Sequence, residues 1–138
     1  MLSQPLLDRL TTLGLTGFRA ALEDQRQSSQ YTDLTFEDRL GLLVDVEYTR
    51  RADSRLQRHL RAAHFALAAR IEDLDLSPKR GLDRRQVLEL AHGEWVQHHL
   101  NLLVLGPTGA GKTYLACTLG AAACAQGFSV RYERTSRL

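Results

Sequence analysis

The chain has 138 residues, of which 43% are apolar and 25% are charged, and its formal net charge at pH 7 is +2. This composition is typical of a globular protein rather than a disordered one, and so small a charge is weak evidence for a nucleic-acid or membrane partner. No apolar run reaches the roughly 18–20 residues that cross a bilayer, and the amino terminus lacks a secretory signal pattern, so we expect a cytoplasmic protein without membrane contact.

The amino-terminal part predicts helices almost throughout. Pro5 suits the first turn of a helix, and leucines at helical spacing follow it until Gly14 interrupts the pattern. A short second helix is predicted over residues 18–27, and the polar stretch 28–35 predicts a loop.

A long third helix is predicted over residues 36–69. Thr35 and Asp38 have the spacing of a capping box at its start. Its second half is two-faced, with an apolar stripe opposite an arc of arginines. This arginine cluster consists of Arg50, Arg51, Arg55, Arg58 and Arg61. The cluster predicts a contact with DNA phosphates or with an acidic partner, and the alternative is a solvated helix face.

The segment 73–81 contains Pro78 and Gly81 and predicts a linker between two domains. Residues 1–72 would form a helical domain for partner or DNA interaction, and residues 82–138 would form the second domain.

The second domain shows a change of pattern. Asp83 predicts the cap of a helix that runs to about residue 92. The apolar run 101–105 predicts a buried strand, 112–125 predicts a helix, and 129–133 predicts a second strand. The two cysteines lie within the predicted helix 112–125 without metal-ligand spacing, so we expect them to be small buried hydrophobic residues.

The loop between the first predicted strand and the helix matches the complete pattern GxxxxGK[ST]. The matching residues are Gly106, Pro107, Thr108, Gly109, Ala110, Gly111, Lys112 and Thr113. Glycines let main-chain N–H groups approach phosphate oxygens, and the start of the helix adds its positive dipole end. Lys112 would reach the β- and γ-phosphates, and the Thr113 hydroxyl would ligate Mg²⁺. The pattern predicts a P-loop for a nucleoside triphosphate but does not distinguish adenine from guanine.

Hydrolysis requires more than this loop. An acidic residue at the end of another strand and usually an arginine complete such a site. Only 25 residues follow Thr113, and the predicted strand 129–133 ends without paired acids. We therefore expect a truncated ATPase that contains no catalytic residue.

From Thr35 onward the chain resembles the IstB-like AAA+ ATPases, which are related to helicase loaders of the DnaC and DnaI type. The resemblance covers LTFEDRLGLLVDVEYTRR, LDRRQVLELAHGEWV and above all NLLVLGPTGAGKTYLACTLGAAACAQGFSVRY, where such proteins tend to have NLLLLGPPGTGKTHLA. It implies that residues 106–113 are a Walker A loop and that the Walker B, sensor and arginine-finger positions are missing. It also implies an α/β fold, in which the helical domain is followed by the start of a parallel αβα sheet that is incomplete in this chain.

The resemblance implies an ATP-binding helper of insertion-sequence transposition. Such a protein would bind ATP and Mg²⁺, act on double-stranded DNA together with a transposase, and self-assemble at full length. The alternative is a DnaC-like helicase loader that prefers single strands. A small-molecule P-loop kinase is disfavoured by the long helical stretch before the loop, and a non-catalytic helical interaction module remains a further alternative.

Overall fold

The computed structural model describes residues 3–137. The chain divides into two compact units, Met1–Ser54 and Arg55–Leu138. In the described range the α-helices are α1 (Gln4–Thr12), α2 (Thr16–Gln27), α3 (Phe36–Ala63), α4 (Arg84–Ala91), α5 (Glu94–Gln97) and α6 (Lys112–Ala125). Short 3₁₀ turns occur at Ser29–Tyr31, Ile71–Asp73, Pro78–Arg80 and Thr135–Arg137. None of the described helices is long and apolar enough to cross a membrane.

Local sequence signals explain several helix ends of the first unit. Pro5 lies in the first turn of α1, where the N–H group that it lacks would have no helical partner. After α1, Gly14 has a φ of +74°, a conformation that favours glycine. At the start of α3, the backbone N–H of Asp38 donates to Oγ1 of Thr35 over 3.1 Å. This contact confirms the predicted cap and the start of the helix.

A buried carboxylate on α3 caps α2. The Oε2 atom of Glu47 accepts hydrogen bonds from the backbone N–H groups of Gly17 (2.9 Å) and Phe18 (3.0 Å). These N–H groups belong to the first turn of α2 and have no partner within the helix. A Cβ atom on Gly17 would lie 2.8 Å from Oε2, so the approach requires glycine. This cap explains why α2 begins at Thr16, two residues before the predicted start.

Two arginines surround the same carboxylate. Arg50 donates to Glu47 Oε1 through Nη2 (2.5 Å), and Arg51 donates to it through Nε (2.9 Å). Arg50 also donates to the carbonyl oxygen of Gly14 over 3.0 Å. The hydrogen bonds from Arg50, then from Arg51 and the Phe18 N–H, lower the pKa of Glu47 to about 2, although burial alone would raise it. Glu47 therefore remains ionised and holds the helices of this unit together at neutral pH.

The core of the second unit lies between α4 and α6. Val87, Leu115 and Leu119 are buried against one another. Half-buried side chains pack around this cluster: Ile71, Leu74, Leu76, Leu82, Leu90, Ala91, Leu102 and Val104. The segment 73–81, for which a linker was expected, thus contributes two leucines to the packing of this unit.

Small residues let α6 pack closely. Cys117 and Cys124 are buried, which confirms the sequence prediction, and burial raises the pKa of the Cys124 thiol. A Cβ atom on Gly120 would lie 2.5 Å from the ring of Phe65. The glycine therefore leaves the space in which that ring packs.

The predicted parallel sheet is wrong for this chain, because residues 3–137 contain no β-strand. The segments 101–105 and 129–133 form no hydrogen-bonded ladder with each other, and a strand exists only where such a ladder forms. The backbone N–H of Tyr132 instead donates to the carbonyl oxygen of Ala63 over 2.9 Å. The described chain is helical, with irregular connections, and the α/β assignment is corrected accordingly.

The apolar run 101–105 explains why the sequence suggested a strand. Leu102 and Val104 pack on the core, whereas Leu103 and Leu105 are 82% and 89% exposed. Alternate residues therefore face opposite sides, as in a half-buried strand, but no strand lies beside this backbone among residues 3–137. The run 101–105 thus has the side-chain alternation of a strand but lacks the backbone hydrogen bonds to a second strand that would form a sheet.

The long helix α3 ends earlier than the sequence indicated. It stops at Ala63 rather than near residue 69, and His64 follows with a φ of +54°. A left-handed residue after the last turn ends a helix, and histidine adopts this conformation more readily than most side chains. Nothing between Ala63 and residue 69 breaks the helical pattern in sequence. In the structure Ala63 is buried, and its carbonyl oxygen accepts the Tyr132 N–H, a contact that sequence does not indicate.

Candidate phosphate-binding site

The loop before α6 has the turned backbone that the glycine pattern predicts. Gly109 and Gly111 have φ values of +82° and +100°. The backbone N–H of Ala110 donates to the carbonyl oxygen of Pro107 over 3.2 Å, which closes the turn. Left-handed glycines direct successive N–H groups toward one side of a loop, the arrangement that binds anions.

Lys112 reaches back across the loop from the first position of α6. Its Nζ atom donates to the carbonyl oxygens of Gly106 (2.5 Å) and Pro107 (2.8 Å). An ammonium group has three N–H donors, so one remains for a ligand. The loop therefore carries a fixed positive charge beside its N–H groups.

The start of α6 adds further donors. The helix has 14 residues and begins at Lys112, with Gly111 as its N-cap. The first N–H groups of a helix have no internal partner and lie at the positive end of its dipole. Thr113 is exposed in this first turn, where its hydroxyl could ligate a cation. In the described part of the chain, no group of three or more His, Cys, Asp or Glu side chains could hold a metal ion.

A cavity of about 540 Å³ lies beside the loop. Its volume is within the usual range for small-molecule sites, about 300–1,000 Å³. Residues of the segment 73–82 line it together with the loop and the first turns of α6. The sequence of this segment does not indicate such a lining, because Pro78, Gly81 and charged residues are also typical of a linker.

The arginines of the cluster have different surroundings. In the first unit, Arg50 and Arg51 are bonded to Glu47. In the second unit, Arg55, Arg58 and Arg61 are exposed. Within residues 3–137, no carboxylate lies at ion-pair distance from any of these three.

Comparison with known proteins decides the family. The model of the family described as IstB-like ATP binding protein matches residues 8–138, which is nearly the whole chain. The chain belongs to this family. It is 46% identical over its full length to a Pseudomonas fluorescens protein named for ATP binding in insertion sequence IS1162, and it spans 60% of that relative. An insertion-sequence ATP-binding protein of Sinorhizobium fredii, y4pL, is 41% identical over the full length of the chain, which spans 56% of it.

Further relatives are more distant but carry similar names. A Mycobacterium tuberculosis protein named for ATP binding in an insertion sequence is 32% identical over 96% of the chain. The chain spans 53% of that relative. The predicted resemblance to the IstB-like family is thereby confirmed, and this family membership implies nucleotide binding.

Proposed function

We propose that the P-loop of this IstB-like chain, residues 106–113, binds ATP together with Mg²⁺. The observation that carries the proposal is the set of donors around the loop: the N–H groups turned by left-handed glycines, the start of α6 and the Lys112 ammonium. Mg²⁺ would bind the Thr113 hydroxyl, phosphate oxygens and water. The description of the family as ATP-binding supports ATP as the nucleotide.

Isothermal titration of MgATP into the chain tests this site. We expect Lys112→Ala to weaken binding about 10- to 100-fold, because it removes a charged donor to the phosphates. Lys79→Ala is the control, since Lys79 is exposed and does not line the cavity. Failure of the wild type to bind, or equal affinity of the wild type and Lys112→Ala, would refute the proposal.

We expect this chain to bind ATP without hydrolysing it. The carboxylates that line the cavity are those of Asp73 and Asp75. Asp75 accepts hydrogen bonds from the Ser77 N–H and from Arg80. Neither carboxylate lies at the end of a strand, where such sites hold the acid that orients the attacking water, because residues 3–137 contain no strand. Phosphate release from MgATP should therefore be no faster with the wild type than with Lys112→Ala. A faster release by the wild type would show that hydrolytic residues are present.

We propose that the whole protein is an ATP-binding helper of DNA transposition that acts together with a transposase. The support is the IstB-like family and the insertion-sequence names of the relatives, which favour transposition over helicase loading. The chain spans 60% or less of these relatives, so self-assembly and ATP hydrolysis by the whole protein are part of this proposal. A helper of this kind should prefer duplex to single-stranded DNA, whereas a helicase loader should show the opposite preference.

We propose that Arg55, Arg58 and Arg61 carry the DNA contact of the arginine cluster. They are exposed and have no ion-pair partner in the described range, whereas Arg50 and Arg51 are bonded to Glu47. Three phosphate contacts predict a slope of log K against log salt of about −3, compared with about −4 to −5 for all five arginines. Fluorescence anisotropy with a duplex at several salt concentrations measures this slope. A flat response would exclude these side chains from the DNA contact.

A further inference from the structure

A groove of about 790 Å³ lies in the second unit, between the end of α3 and α6. It shares no lining residue with the cavity beside the P-loop. Most of its lining is apolar: Leu56, Leu60, Phe65, Leu67, Ala68, Ala69, Ile71, Ala121, Ala122 and Ala125. Leu67 and Ala125 are exposed. A continuous apolar surface that is open to solvent is typical of a docking site.

Positive charge lies along this groove. Arg61 and Arg70 belong to the lining, and Glu72 is the one acidic residue among the described side chains that form it. Glu72 lies 3.7 Å from Arg70, but both side chains are exposed, so this pair holds them only weakly. The groove therefore fits an occupant that combines apolar side chains with carboxylates.

The start of α3 has this combination. Phe36 and Leu40 are 70% and 38% exposed, although both are large apolar side chains. The stretch 33–45, here called the acidic segment, carries four carboxylates and one arginine: Asp33, Glu37, Asp38, Asp45 and Arg39. Within residues 3–137, none of these carboxylates lies at ion-pair distance from a cationic side chain. The acidic segment and the groove are thus complementary in charge, and both leave apolar surface uncovered.

The acidic segment cannot reach the groove of its own chain. The helix α3 runs unbroken from Phe36 to Ala63, and its last turns line the groove. A helix rises about 1.5 Å per residue, which keeps Phe36 roughly 36 Å from Leu60. One helix does not place its first turn beside its last, so the occupant has to come from another molecule.

We propose that the acidic segment 33–45 of one copy docks in the groove of a second copy. Phe36 and Leu40 cover the apolar lining, and the carboxylates face Arg61 and Arg70. The inference rests on the self-assembly proposed above and gives it an interface. Arg61 also belongs to the arginine cluster, and the five N–H donors of a guanidinium can serve both a carboxylate and a phosphate.

The contact joins two different surfaces. Each copy therefore keeps one surface free after the first contact, and the assembly grows by head-to-tail addition. A symmetric dimer would instead use the same surface on both copies. This difference decides how the contact is tested.

Sedimentation velocity at several protein concentrations measures the association. The average mass of the wild type should rise between about 5 and 500 µM, the range of a small and transient interface. Phe36→Asp removes an apolar side chain from the acidic segment, and Ala125→Glu brings a negative charge into the groove. Each variant should weaken association at least about 10-fold. The controls Leu13→Asp and Ala116→Glu change exposed residues outside both surfaces and should associate like the wild type.

A mixture of the two variants separates this contact from a symmetric dimer and from a folding defect. Phe36→Asp keeps an intact groove, and Ala125→Glu keeps an intact acidic segment. Their equimolar mixture should form heterodimers and nothing larger, with about the affinity of the wild type. Misfolded variants cannot recover in this way.

Three results would overturn the contact. Association that is unchanged in both variants, or a mixture that does not recover it, would exclude this interface while leaving the proposed self-assembly in place. A wild type that stays monomeric over the whole range would overturn the interface and self-assembly of this chain together. Titration of MgATP into the same proteins reports separately on the P-loop, so a failure of the ATP site is distinguishable from a failure of the contact.

Discussion

Replacing Gly111 by alanine tests the left-handed backbone conformation of the loop without adding a steric clash. Gly111 has a φ of +100°, and a Cβ atom there would meet no other atom within 4 Å. The cost of the alanine therefore comes from the left-handed backbone alone, about 1–2 kcal/mol. Gly41, which lies outside the loop, is the control, because its φ is outside the left-handed region and a Cβ atom there would also meet no other atom within 4 Å.

The cost of the strained alanine backbone lowers either the free energy of unfolding or the affinity for ATP. If the alanine loop keeps its turn without nucleotide, the free energy of unfolding falls; if the loop relaxes, ATP affinity falls instead, by about 5- to 30-fold. The free energy of unfolding measured in saturating MgATP includes both the lost stability of the loop and the lost affinity for ATP. Urea denaturation followed by circular dichroism should then show a loss of about 1–2 kcal/mol for Gly111→Ala and no loss for Gly41→Ala, which lies within α3. Equal losses in the two variants would refute the turned loop.

Two further predictions concern the packing of each unit. The pKa of Glu47 is lowered from 4.5 to about 2, so the stability that its ionised form gives the first unit is present above pH 4.5 and is lost as the pH falls toward 2. The melting temperature of the wild type should fall as the pH is lowered across this range, and that of Glu47→Gln should depend less on pH. Identical pH profiles of the two proteins would contradict the cap. In the second unit, Gly120→Ala would place a Cβ atom 2.5 Å from the Phe65 ring, which should destabilise it by about 1–3 kcal/mol. Gly41→Ala is the control: a Cβ atom there would lie in open space on α3, so alanine should stabilise the helix by up to about 1 kcal/mol. Destabilisation of similar size in Gly120→Ala and Gly41→Ala would contradict the close packing at Phe65.

The P-loop could be predicted from sequence because its requirements are local. Glycines at 109 and 111 are needed where φ is positive, and Lys112 follows them at the start of a helix. The cap at Thr35 is equally local, since its partner is three residues away. Such features depend on neighbours in the chain, so their spacing is enough to indicate them.

The features that the sequence missed depend on distant residues. Glu47 bonds to Gly17 across 30 positions, and in sequence it is an ordinary acid beside two arginines on a helix. The run 101–105 has the pattern of a half-buried strand whether or not another strand lies beside it. Asp75 and Arg80 are five residues apart on 3₁₀ and irregular backbone, where no regular period indicates that their side chains meet.

The central claim is that main-chain N–H groups between Gly106 and Lys112 bind phosphate. Amide nitrogen–proton NMR spectra of the labelled chain, recorded while tripolyphosphate is added, test it most directly. We expect the largest saturable shifts at the amides of Gly109, Ala110, Gly111 and Lys112, and their loss in Lys112→Ala. Shifts confined to other residues, with the loop amides unchanged at saturation, would contradict the account.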